Sequence, residues 1–210
     1  MLSQTCPKIG DNVDNVAFII ANGTSRAKYD LLELPGVVYG CNALYRDFSP
    51  NYILPHYLVA IDPGMISEIE HSDFPSSRVI IPPHDECWEP ADCNPSRPRS
   101  NAGINAIREA IKGGHKIIIG LGFDFMLLDE SQSVSNIYDG TKNYGMEVRA
   151  NHRDNFNRAN YMNWVAKSNP YISIFLVYPD IEIRNMHRIS AGNIHLLSYR
   201  YLDAFFKSAD

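Results

Sequence analysis

No apolar run in this 210-residue chain approaches the roughly 20 residues needed to cross a bilayer. The polar N-terminus also lacks a signal-peptide pattern. Both absences set the expectation of a cytoplasmic protein without a transmembrane segment. Cysteine is scarce, with four residues at Cys6, Cys41, Cys87 and Cys93. Their spacing is neither a CxxC pair nor a zinc set and no histidine cluster accompanies them, so reduced thiols and no metal site are expected. Positive charge is in deficit: 19 Lys and Arg stand against 24 Asp and Glu, for a net charge of −5. That balance argues against nucleic acid as a partner. Internal repeats and low-complexity tracts are missing as well.

What remains is the composition of a globular protein, 45% hydrophobic and 20% charged. A chain of this length buries roughly 70% of its unfolded surface, enough for a sheet covered on both faces. The simplest organisation is one domain over 1–210, with a lid or small subdomain near 126–150. Val16 to Ile20 is a short continuous apolar run, the mark of a strand buried on both sides. Further strands are expected at Val37–Tyr39, Tyr57–Ile61, Arg78–Ile81, Lys116–Ile119 and Tyr171–Tyr178, with a last helix or strand near Ser198–Lys207.

Helices are expected over Ala27–Leu34, Met65–Glu70, the stripe Ile104, Ile107, Ile111, and Asp154–Lys167. Five prolines between Pro82 and Pro98 mark a connecting segment. The polar stretch Ser131–Gly145 reads as a mobile lid loop. Strands alternating with helices at this spacing imply an α/β, Rossmann-like fold with a mainly parallel sheet and helices on both faces.

In such a sheet ligands bind beyond the carboxyl ends of the strands. The expected ends carry Asn22, Asn42, Asp62, Asp124 and Asp180. The first of them opens the loop Asn22-Gly23-Thr24-Ser25. Glycine lets backbone approach a ligand, amides opening a helix face an anion, and the Thr24 and Ser25 hydroxyls either donate to a phosphate or cap the helix. Arg26 offers a further charge contact. The loop is neither a Walker loop nor a dinucleotide fingerprint. Gly120-Leu121-Gly122-Phe123-Asp124 lacks a third glycine and reads instead as a strand end that presents Asp124 to sugar hydroxyls. Among seven histidines, His152 is singled out between the lid loop and a helix, where an imidazole titrating near neutrality suits a general base.

Taken in order, these segments resemble the bacterial lipooligosaccharide sialyltransferases. Ile19-Ile20-Ala21-Asn22-Gly23-Thr24-Ser25 is similar to that family's Gly-Asn-Gly-Pro-Ser loop, and Cys41-Asn42-Ala43-Leu44-Tyr45 to its Cys-Asn-x-x-Tyr segment. Ile61-Asp62-Pro63 falls at its Tyr-Asn-Pro, and Arg99-Ser100-Asn101-Ala102-Gly103 at its Arg-x-x-Ser-Gly helix start. Gly120-Leu121-Gly122-Phe123-Asp124-Phe125 resembles its Ser-Gly-Ile-Asp-Phe strand end, and Asn151-His152-Arg153 its Gly-His-Ser.

The resemblance implies a nucleotide-sugar donor of CMP type, a hydroxyl-bearing acceptor, and transfer without a metal or other cofactor. It places Asn22 and Asn42 at the nucleotide or donor sugar, Arg99 at the donor or acceptor, and His152 as general base. The family stabilises the departing phosphate with tyrosines, one of them directly after the Asp-Phe pair. Met126, which cannot donate a hydrogen bond, occupies that position here, and Tyr138 or Tyr144 of the lid loop is expected to supply the second tyrosine. Two alternatives share the opening loop: a Mg²⁺-dependent diphosphokinase of a pterin-like alcohol, with Asp62 and Asp124 holding the metal, and a non-catalytic nucleotide-binding protein. Homo-oligomerisation through a sheet edge or helix face is compatible with such a domain.

Overall fold

In the computed structural model, residues 15–31, 34–47, 55–83, 101–126, 135–145, 152–179 and 188–202 are described. Seven strands are present among them: β1 (Val16–Ile20), β2 (Val37–Cys41), β3 (Tyr57–Val59), β4 (Val79–Ile80), β5 (Ile117–Leu121), β6 (Ser173–Tyr178) and β7 (Ile194–Ser198). They form one sheet in the order β4-β3-β2-β1-β5-β6-β7, and every neighbouring pair is parallel. The α/β, Rossmann-like architecture expected from the alternating pattern is the one observed.

The continuous apolar run of β1 follows from its place at the centre of the sheet. Ala17 and Ile19 face one core, while Val16, Phe18 and Ile20 face the other, as the two-residue period of a strand requires. The first core is covered by α2 (Ala102–Lys112) and α3 (His152–Ser168). The second is covered by Ile66 and Ile69 of α1 (Pro63–Glu70), together with Leu31, Leu44, Phe74 and Leu202. In α2 the stripe Ile104, Ile107 and Ile111 packs on the sheet, and the Asn101 side chain caps the helix by accepting from the Ile104 amide at 3.1 Å.

Three element assignments change. The helix expected over Ala27–Leu34 is a single 3₁₀ turn, Thr24–Lys28, which gives way to extended backbone at Tyr29. Extension there sends Leu31 into the second core and sets the Tyr29 ring 5.1 Å from Tyr199. β7 was not foreseen as a strand of its own. The segment expected from Ser198 begins instead as the last residue of β7, followed by helical backbone at 199–202. The segment expected as a lid forms a compact turn over 135–145, docked on the strand ends by a bridge between Gly23 and Asn136 and by the Ile137 amide bonding to the Asn22 carbonyl at 2.9 Å. The proline-rich segment from His84 to Ser100 lies outside the described residues.

Candidate functional site

Strand order reverses between β1 and β5: the chain runs outward from β1 to β4 on one side, and from β5 to β7 on the other. The loops leaving these two central strands therefore diverge, and a crevice opens beyond their carboxyl ends. A cavity of about 370 Å³ occupies that position. It is walled by the ends of β1 (Asn22, Gly23), β2 (Cys41, Asn42), the Ile61-Asp62 segment after β3, and Asp124 after β5. The N-terminal turn of α2, Tyr144 with Asn143 of the docked turn, and Arg158 of α3 close it.

Four of the five strand-end residues picked from the sequence thus line one cavity; the fifth, Asp180, lies outside the described residues. Asn22 Nδ2 donates to the Tyr144 hydroxyl at 3.1 Å. Burial pushes that hydroxyl well above its ordinary range, so it stays protonated and remains a donor. Asn42 closes β2 with a φ of +48°, a left-handed conformation that asparagine tolerates better than most residues. From there its Nδ2 donates to Asp62 at 2.7 Å, while its Oδ1 is buried without a hydrogen-bond partner. Cys41 beside it is a buried free thiol whose pKa burial pushes up to about 12, which keeps it neutral and unreactive.

The opening loop works differently from the expectation. Asp124 accepts from the Ser25 amide at 3.0 Å, from the Ser25 hydroxyl and from Thr24 Oγ1 at 3.5 Å. The donors assigned to a phosphate are directed at this internal carboxylate, which takes the place of an external anion at the start of the 3₁₀ turn. Burial raises the Asp124 pKa above its ordinary value, against the opposing pull of those donors. Gly23 is explained by the same packing: a Cβ there would lie 2.4 Å from Asp124 Cγ and 2.4 Å from the Gly122 carbonyl oxygen. Its backbone is ordinary extended chain, and it is the missing Cβ that lets the two loops approach. Gly122 reciprocates, with φ +76° and the Ala21 carbonyl oxygen 2.7 Å from where a Cβ would stand. Arg26 turns away from the cavity and, 4% exposed, bonds to the Tyr138 hydroxyl at 2.8 Å and to Asp47 at 3.3 Å.

The two lid tyrosines separate. Tyr144 faces the cavity, whereas Tyr138 lies behind it, its hydroxyl donating to Asp47 at 2.8 Å. Met126 is fully buried in the first core and away from the cavity wall. His152 is the first residue of α3, and Arg99 lies outside the described residues. Contributors that sequence reasoning missed include Arg158, Asp139, Asn143 and the α2 start at Asn101–Gly103 as a wall of the cavity. Asn101 had a readable signal, a capping residue three positions ahead of the first isoleucine of the stripe. Arg158 has none, because only the docking of α3 brings it to the site. Among the described residues, no three His, Cys, Asp or Glu side chains converge as a metal cluster.

Fold and site together define a Rossmann-like α/β protein with a cavity at its topological switch point. Comparison of the chain with protein-family models, with curated proteins and with solved structures returned no match.

Proposed function

We propose that the protein is a nucleotide-dependent transferase that moves a sugar from a CMP-type donor to a hydroxyl acceptor. The observation that carries this reading is the meeting of Asn22, Asn42, Asp62 and Tyr144 with the α2 N-terminus around one cavity at the switch point. The two sides of that cavity suit the two halves of such a donor. Asp62 and Asp139 are acceptors for the hydroxyls of a ribose or sugar. The first turn of α2 and Arg158 favour negative charge, and the protonated Tyr144 hydroxyl is a donor for the phosphate oxygen that gains charge as the sugar departs. In this reading Tyr144 does what Met126 cannot, and His152, opening the helix that carries Arg158, removes the acceptor proton. The docked turn 135–145 excludes water from the donor.

Thermal-shift titration with CMP, a CMP-sugar and ATP, each with and without Mg²⁺, tests the proposal. Stabilisation by CMP in the absence of metal is expected. A response confined to ATP with Mg²⁺ replaces transfer of sugar by transfer of a diphosphoryl group, and no response to any of them removes the nucleotide.

A further inference from the structure

The 3₁₀ turn Asn42–Asp47 after β2 reaches in two directions. Asn42 faces the cavity and Asp47 pairs with Arg26 and Tyr138 behind it. Between them Arg46, which does not line the cavity, grips the docked turn. Its Nη1 donates to Thr141 Oγ1 at 2.6 Å and its Nη2 to the Lys142 carbonyl at 2.7 Å. Its Nε donates to Glu68 of α1 at 2.8 Å. The guanidinium carbon stands 5.7 Å from the centres of both the Tyr138 and Tyr144 rings, which are themselves 5.9 Å apart. Glu68 closes the clamp by accepting from the Tyr45 hydroxyl and from Asn143 Nδ2 at 2.7 Å. Four residues of the turn, Tyr138, Thr141, Lys142 and Tyr144, thus depend directly on one side chain, and Asn143 is tied to the same carboxylate.

We propose that Arg46 is a positioning residue: it holds the 138–144 turn closed so that the Tyr144 hydroxyl stays against Asn22 at the cavity wall. A turn already ordered costs a ligand less than one that must be ordered on binding. Arginine suits the task because its planar fork directs several donors in fixed directions while its face lies on aromatic rings; an ammonium is a compact point charge without that fixed geometry. The coupling of Arg46 to ligand binding rests on the nucleotide reading above, whereas the latch itself does not.

Hydrogen exchange on the full chain tests the latch. In Arg46→Ala and Arg46→Lys, the Ile137, Thr141 and Tyr144 amides, which bond to Asn22, Tyr138 and Thr141 carbonyls, are expected to exchange about tenfold faster or more. The β1 and β5 amides keep wild-type protection. Unchanged exchange in the turn, or equal loss of protection in the strands of both variants, overturns the latch. CMP titration tests the coupling: Arg46→Ala weakens binding about tenfold in the wild-type background and adds little to Tyr144→Phe. Additive effects overturn the route through Tyr144. A wild-type chain that binds no CMP removes the nucleotide reading, and exchange then decides the latch alone.

Discussion

Gly23 and Asp124 show at the scale of single residues why a loop reads more easily than its reason. That a glycine closes β1 is plain in the sequence. The need for it is set by a carboxylate about a hundred positions further on, and no local pattern carries that distance. The cavity residues Asn22, Asn42 and Asp62 were legible because each sits at a strand end, whereas the engagement of Thr24 and Ser25 by Asp124 depends on the β1–β5 pairing. Gly23→Ala forces a methyl group onto Asp124 Cγ and the Gly122 carbonyl. It is expected to cost about 2 kcal/mol, read as a lower urea midpoint at unchanged m-value. Asp124 also gives a signed pH dependence. Its folded pKa is raised from 3.8, chiefly by burial, so the folded state binds the proton more tightly than the unfolded chain does. The resulting stability is fully present below the unfolded pKa and is lost as pH rises through the folded one. The stability difference between wild type and Asp124→Asn should therefore shrink as pH is raised from below 3.8 through the folded pKa. A flat difference would mean that Asp124 keeps its ordinary pKa.

At the scale of elements, legibility tracks burial. β1, α2 and α3 bury enough of their surface for the pattern to show, and their cores lie where the apolar residues predicted. β7 is an edge strand with His195 exposed on Phe175, so its alternation is weak and it escaped notice. The helix expected after Thr24 failed for a different reason: its residues are permissive, but Leu31 is drawn into the second core by extended backbone. α2 offers the cleanest test of an element. Asn101 satisfies the Ile104 amide, and Asn101→Ala removes that bond. The substitution is expected to cost about 1 kcal/mol in equilibrium unfolding. A loss near zero would show that the first turn of α2 is already satisfied by other donors and acceptors.

For the whole molecule, the cavity is the place where both halves of the sheet meet. Asn22, Asn42 and Asp62 come from the β1-to-β4 side, and Asp124 and Arg158 from the chain that builds β5 to β7. Under the proposed function a bound nucleotide would bridge the two, and its binding energy would then stabilise the fold as a unit. At about 100 times Kd it adds about 2.7 kcal/mol, which for a chain of this size raises Tm by roughly 5–10 °C. Two substitutions separate binding from chemistry within that frame. Asn22→Ala removes the partner that fixes the Tyr144 hydroxyl and a polar wall of the cavity. It is expected to abolish most of the CMP-induced shift while leaving the unliganded Tm within a few degrees. His152→Ala should leave the shift intact and lower turnover of a CMP-sugar by about 10²–10⁴-fold, the scale of a lost general base. Wild-type turnover in His152→Ala would hand deprotonation of the acceptor to another group. A full CMP shift in Asn22→Ala would move the nucleotide away from the end of β1.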